Sequence, residues 1–557
     1  MFRRACALLL AFLALPVFPQ FTETIEVRVI NVDVIVTGRD GRPVPGLTKE
    51  DFELYEDGKL QPITNFLEMR GEEPKATKPA PAQPAAPQAE ERPADIRARH
   101  VVIFLDTTSI HPFTRDRVFK PLETFLQRTM RAGDHVMLIS WNPGLKVELP
   151  FTNDTGEAAK TLQRLVATTT TATSTERDFK LAQYQIRSIP ADYALRGEMP
   201  TIADAISAAQ MYATKVSYEQ AQRVEAIKSV IASLRGIGGR NALVLFTNSL
   251  SENPALPIFY FIDSLKEKFS GGASFVPHTE ANRFQNPNLV REISELANSS
   301  GITMYPIAAA GLGVEFDSLG ADSTGSEYGS TTRGLTHPDE GMQALHQIAE
   351  ATGGKALTSS NNFDLAFNTL TQDMTSYYSL GYRTEGQRTD VVRSISVKLR
   401  KKGYNVRARQ TFVEKSLTSE MNDAVAANLL YPIAKNDLSV SIDSGGALAG
   451  SPEQPVVPVV IRIPTTSLTL IPDGTDLVGQ FSSYTAFLRR DGRVSEVKRS
   501  QHLLRFPADS LKRRKEITVK YDLTVDDKTE SVSVGIMDDT SHATGFVTMP
   551  LTGKPAT

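Results

Sequence analysis

The residues best placed to do chemistry are Asp106-Thr107-Thr108-Ser109-Ile110, which directly follow the wholly apolar run Val101 to Leu105. Such a run suits a central strand of a parallel sheet. A carboxylate beside hydroxyls at the strand's carboxyl end would then face the crevice in which open α/β sheets bind ligands. These are the oxygen donors that magnesium gathers in an octahedron, leaving positions for water or for a partner's carboxylate. The plainer alternative is that Asp106 and Ser109 cap the following helix. Trp141, the single tryptophan, follows the apolar strand Val136 to Ile139 and precedes Asn142-Pro143. It is either an exposed anchor for a partner or a core or rim residue.

Signatures of catalysis are missing elsewhere. The eight histidines (100, 111, 135, 278, 337, 346, 502 and 542) form no H-x-x-x-H pair, and Cys6 is the only cysteine. A zinc site therefore lacks its pattern, and each histidine reads as a surface or packing residue. Gly236-Ile-Gly-Gly239 follows a helical pattern and precedes a strand, the reverse of the order that aims a helix N-terminus at phosphate. The chain contains neither a G-x-S-x-G elbow nor a P-loop. The expectation is a non-catalytic protein; the alternative enzyme would need a site in the Gly311 to Gly334 loop or in the C-terminal β region.

The elements that must position these residues follow from length and pattern. With 557 residues the chain has room for several domains. Its 41% hydrophobic and 22% charged composition is that of a globular protein. With 61 Lys+Arg against 64 Asp+Glu, the net charge of −3 supplies no field for nucleic acid, which is excluded as an expected partner. Arg3 and Arg4 ahead of the apolar stretch Ala5 to Phe18 read as an export signal over residues 1–20, with an uncleaved anchor as the alternative. The mature chain is expected outside the cytoplasm (periplasm, cell surface or secreted), with no cysteine chemistry and no membrane-spanning segment.

Residues 21–70 read as a small β module. Its strand at 25 to 36 is β-branched and alternating, and Asp40-Gly41 and Asp57-Gly58 mark turns. Six prolines within 71–98 mark a Pro/Ala-rich linker. From 99 to 414, apolar runs at 101–105, 136–141, 242–247 and 302–307 alternate with helical patterns, among them Val118 to Met130, Thr201 to Leu234 and a helix stopping at Gly353-Gly354. That alternation predicts a mostly parallel sheet flanked by helices. Residues 394–411 read as a closing hairpin, and Tyr377, Tyr378 and Tyr382 as structural. Residues 415–557 carry short strands near 438–442, 456–463, 480–488, 502–506, 517–525 and 531–537, the pattern of an immunoglobulin- or fibronectin-like β-sandwich.

The segments around Asp106-x-Thr108, Gly133-Asp134-His-Val-Met-Leu-Ile-Ser, Ala242-Leu-Val-Leu-Phe-Thr247-Asn248-Ser249 and Met304-Tyr305-Pro306-Ile307 resemble a von Willebrand factor A domain. Further resemblance lies in Leu345-His-Gln-Ile-Ala-Glu-Ala-Thr-Gly-Gly354, Tyr377-Tyr-Ser-Leu-Gly-Tyr382, Val406-Arg-Ala-Arg-Gln-Thr-Phe412 and Gly46-Leu-Thr-Lys-Glu-Asp-Phe-Glu-Leu-Tyr-Glu-Asp-Gly58. With these, residues 25 to 413 are similar to the secreted VWFA-related proteins first grouped from Acidobacteria. The resemblance implies a Rossmann-like domain with a metal-ion-dependent adhesion site. It places Asp106, Thr108, Thr201 and Asn248 at that site in degenerate form: Ile110 offers no oxygen where a Ser is usual, Pro200 stands at the Thr position and Asn248 at an Asp position. Weak Mg2+ or Mn2+ binding is the most this set would support. The expected function is protein-protein interaction of an adhesion type, through Asp106, Ser109 and Trp141, with another protein or a cell-envelope macromolecule. The alternative is a structural envelope protein that assembles through its β modules.

Overall fold

The computed structural model describes residues 27–551 apart from 71–72, 76–98, 109, 111–114, 131–132, 169–172, 248–249, 309–338, 359–362, 386–389, 432–434, 445–448, 452–453, 491, 512–514 and 525–527. The expected export signal, most of the linker, and the Gly311 to Gly334 loop lie outside the described residues.

The apolar runs form one five-stranded sheet. Arg99–Asp106 lies at its centre and pairs in parallel with Asp134–Trp141 on one side and Arg240–Thr247 on the other. Ile302–Ala308 continues the parallel set beyond Arg240–Thr247, while Leu145–Thr152 closes the opposite edge antiparallel. A strand in this position is covered on both faces, which is why its sequence is continuously apolar rather than alternating. Ile103 and Leu105 pack on one face with Leu122, Phe125 and Phe367. Val102 and Phe104 pack on the other with Ile227, Ile231 and Ile293. The four parallel strands all end at one edge, with Asp106, Trp141, Thr247 and Ala308 as their last residues.

The N-terminal strands do not close on themselves. Val27–Thr37 pairs antiparallel with Ser376–Glu385, from Val27 against Glu385 to Val34 against Tyr378, and also with Asn405–Ala408. Phe52–Glu56 pairs with Val392–Leu399, and Asp57 and Gly58, both at positive φ, turn the chain into Lys59–Gln61. The result is two sheets around Val32, Val34, Leu54 and Tyr382, built jointly from residues 27–75 and 376–413. These sheets therefore cross the boundary expected at 70 and join the N-terminal strands to the end of the expected 99–414 domain, whereas the boundary expected at 414 falls just after their last strand, Thr411–Val413. The physical reason is that a few short strands bury too little on their own, and Tyr378, Leu380, Tyr382 and Ile395 supply the missing half of the core. The start of the expected linker takes part as well, since Glu73–Lys75 pairs with the strand Ile63–Arg70.

The Gly353-Gly354 pair does more than stop the helix Asp339–Ala351. Gly353 has φ 78° and lies so close to Ala408 and Arg409 that a Cβ would come within 2.9 Å of their backbone; a Cβ on Gly354 would come within 1.9 Å of the Met304 carbonyl oxygen. Nearby, Arg407 Nη1 and Nη2 donate to the two carboxylate oxygens of buried Asp373 at 2.8 and 2.7 Å, which ties the strand Asn405–Ala408 to the helix Phe363–Thr375.

After residue 414 the first element is a helix, Leu417–Leu430, whose N-cap Ser416 accepts a bond from Ser419 N at 3.1 Å. Its Met421, Val425 and Leu429 pack on Tyr484, Ala486, Met537 and Phe546. The remaining strands form two antiparallel sheets enclosing Val459, Ile461, Phe481, Val534 and Ile536, with strands at Gln454–Pro464, Asp476–Arg489, Lys498–Pro507, Glu516–Thr524, Thr529–Asp538 and Thr544–Pro550 among them. Among the described residues no helix is long and apolar enough to cross a membrane.

Candidate functional site

Asp106 ends the central strand with its side chain fully buried. Parallel register sets Leu105 against Phe246, so Asp106 and Thr247 end neighbouring strands side by side. Thr247 Oγ1 donates to Asp106 Oδ2 at 2.9 Å. The turn after the strand brings Thr108 back, and its backbone N and its Oγ1 donate to Asp106 Oδ1 at 3.1 and 2.5 Å. Thr107 fixes the turn from the other side by donating N and Oγ1 to the Trp141 carbonyl at 3.0 and 2.8 Å.

The cation at this site is a side chain of the protein. Arg223 Nε lies 3.0 Å from Asp106 Oδ2, with the Arg223 side chain 15% exposed. Arg223 Nη2 donates to Thr108 Oγ1 at 3.3 Å and Nη1 to Gln220 Oε1 at 3.4 Å, while Gln220 Nε2 donates to the Ser251 carbonyl at 2.6 Å. Both residues belong to the long helix Ile202–Ser233, whose buried stripe Gln220, Val224, Ile227, Val230 and Ile231 repeats at three- and four-residue spacing. Packing that stripe on the sheet delivers Arg223, one residue before Val224, to the carboxyl edge.

The donor set does not fit a divalent cation. Magnesium and manganese are held by several oxygen ligands, usually with more than one carboxylate or bound phosphate. Here both oxygens of Asp106 are already engaged, and a guanidinium stands against Oδ2 where a second positive ion would be repelled. Among the described residues no three His, Cys, Asp or Glu side chains are grouped as metal ligands.

The residues expected at the site fare differently. Asp106 and Thr108 come together as the sequence implies. Thr201 does not join them: it is the N-cap of the helix that carries Arg223, and its N and Oγ1 donate to Asp204 Oδ2 at 2.7 and 2.8 Å. The 22 residues from Thr201 to Arg223, at about 1.5 Å each, separate them by about 33 Å along the axis. Trp141 reaches the same edge with its carbonyl, but its side chain is buried among Val102, Ile139 and Leu245 and offers no exposed anchor. Ser109 and Asn248 lie outside the described residues. Thr247 and Arg223 were not expected there. Thr247 ends an apolar strand just as Asp106 does, a usable signal, whereas nothing local marks Arg223 as different from a surface arginine.

One nucleophile-base geometry occurs in the C-terminal sandwich. Ser483 Oγ lies 3.0 Å from His502 Nε2 and 2.6 Å from Tyr521 OH, which itself lies 2.7 Å from the same nitrogen. Ser483 is only 2% exposed, so a substrate has no approach to its hydroxyl. Tyr521 comes from the sheet facing that of Ser483 and His502, and the triangle acts as a polar tie between the two sheets.

No family model matches the sequence, and no curated protein matches it. Among solved structures, the chain is similar to an aerotolerance-related membrane protein from Bacteroides fragilis NCTC 9343, at 12% identity and TM-score 0.22 over 50% of this chain and 98% of that one. BatB from Bacteroides thetaiotaomicron matches at 11% identity and TM-score 0.22, over 50% and 96%. The manganese-loaded TRAP protein of Plasmodium vivax matches at 9% identity and TM-score 0.21, over 57% and 95%. Likenesses this low carry no weight for function.

Proposed function

We propose that this is an exported, non-catalytic binding protein. Its parallel α/β unit, of von Willebrand factor A type, engages another protein or a cell-envelope macromolecule at the carboxyl edge of the sheet, without a metal ion. The observation that carries this reading is the Asp106–Arg223 pair at that edge: a ligand-binding position in open α/β sheets, supplied with a fixed internal cation instead of an exchangeable one. A guanidinium tethered in this way keeps the loop Asp106 to Thr108 in one conformation at any metal concentration, which favours binding by a preorganised surface. The sheets on either side act as spacers or further docking surfaces.

A photo-cross-linking residue placed at exposed Asn142, on the loop beside Asp106 and Thr107, tests this in the cells that make the protein. The expected result is one predominant adduct that forms equally well with EDTA present and is missing when the cross-linker sits at Ser541 in the C-terminal sandwich. An adduct that needs added magnesium or manganese, or one formed equally from Ser541, would overturn the reading.

A further inference from the structure

A cavity of about 80 Å3 lies beneath the helix Phe363–Thr375, on the opposite face of the sheet from the helix that carries Arg223. Its floor is Val244, Tyr305 and Ile307 of the parallel strands, and its roof includes Phe367 and Leu370. Two alanines, Ala356 and Ala366, line it where larger side chains would fill the space. Protein interiors are normally packed as densely as organic crystals, so an apolar void of this size is a feature rather than background. The lining is almost wholly apolar, and the exception in charge is Lys355 at the rim, which is exposed and forms no ion pair among the described residues.

We propose that this cavity binds a short aliphatic carboxylate, with the hydrocarbon part inside and the carboxylate on Lys355. At about 30 Å3 for a water-sized group, the volume of about 80 Å3 accommodates about three carbons, the branched end of an isobutyl group. An apolar pocket with one convergent charged group is the usual form of a small-ligand site. The same chemistry is presented by a free short-chain acid and by a peptide that ends in leucine or valine, whose terminal carboxylate would meet Lys355. The site is separate from the Asp106 edge and stands or falls independently of it.

The test is the melting temperature of residues 21–557 in tens of millimolar sodium isovalerate, against sodium acetate and 3-methylbutanol at the same concentrations. The expected result is a rise of about 2 °C with isovalerate, for a millimolar Kd, and a smaller one with the alcohol. The rise should vanish in Ala366→Leu, which fills the cavity, and weaken at least tenfold in affinity in Lys355→Gln. Ala356→Val serves as a second filling variant should Ala366→Leu fail to fold. Equal shifts with acetate and isovalerate, or an undiminished shift in the filling variant, would sink the proposal. A short peptide ending in leucine, compared with its C-terminal amide, separates the sources. Tighter binding than isovalerate that is lost on amidation assigns the site to a peptide terminus, and binding of isovalerate alone assigns it to a free acid.

Discussion

Asp106→Ala is expected to destabilise the α/β unit by about 3 kcal/mol or more, because it leaves the guanidinium of Arg223 buried without its counter-ion. Arg223 is 15% exposed and Asp106 fully buried, so little solvent is available to replace the lost carboxylate. The substitution also removes the acceptor for Thr247 Oγ1, Thr108 N and Thr108 Oγ1. If the pair is the unit that matters, Arg223→Met in the Asp106→Ala background removes the stranded charge and recovers about 1–3 kcal/mol of the loss as a coupling energy. Trp141 is the only tryptophan and its carbonyl is bonded to the same turn, so its fluorescence in urea follows the unit in question and not the β-sandwiches. Additive losses in the double-mutant cycle would show that Asp106 and Arg223 do not act as a pair.

The second large effect is on pH. His100 and His135 sit opposite each other at the start of neighbouring parallel strands, with ring centroids 5.5 Å apart, and Tyr431 packs edge-on against both at 4.7 and 5.1 Å. His100 is buried, with Asn241 beside its ring. Burial, and behind it the neighbouring His135, push its pKa from 6.5 down to about 4. A histidine whose pKa is lower in the folded state contributes stability that is fully present above about 6.5 and is lost as the pH falls towards 4, because the unfolded chain takes up the proton first. A difference of about two and a half units corresponds to about 3 kcal/mol. Urea denaturation followed by Trp141 fluorescence at several pH values between 7 and 4 should show this loss, and His100→Phe, which keeps a ring but cannot titrate, should reduce the total loss over that range by that amount and flatten the slope accordingly. An unchanged slope in His100→Phe would mean that carboxylates alone govern the acid limb.

Much of the architecture was legible because its signal is local. Val101 to Leu105, Ala242 to Thr247 and Ile302 to Ile307 are apolar in every residue or nearly so, and that is what burial on both faces of a parallel sheet demands. The strands of the C-terminal sandwich likewise fall close to their alternating runs, as at Gln454–Pro464 and Thr529–Asp538. The pairing of Val27–Thr37 with Ser376–Glu385 leaves no local trace, since each strand alone looks complete and only their shared core around Val32, Leu380 and Tyr382 joins them. The helix Leu417–Leu430 escaped notice for a related reason. It turns Met421 and Val425 to one core and Ala427 to another, which blurs any single apolar stripe.

At the site, Asp106 and Thr108 were legible because the strand and the turn after it are contiguous. Thr201 was misplaced because a motif alignment says nothing of how far a helix carries its own N-terminus: the Ile202–Ser233 helix starts far from the edge that its later turns approach. Arg223 was invisible because its role depends on a three-dimensional coincidence, the packing of Val224 and Ile227 that sets the preceding residue against Asp106.

The central claim is that the cation of this edge is Arg223 and not a metal. The most direct measurement is the melting temperature of residues 21–557, read by Trp141 fluorescence, in EDTA and through millimolar magnesium and manganese, with Asp106→Ala alongside. A metal held by the native state at 100 times its Kd would add about 2.7 kcal/mol. The account predicts no shift beyond that of an ionic-strength control. A metal-dependent rise that disappears in Asp106→Ala would contradict it and return the edge to a metal-dependent site.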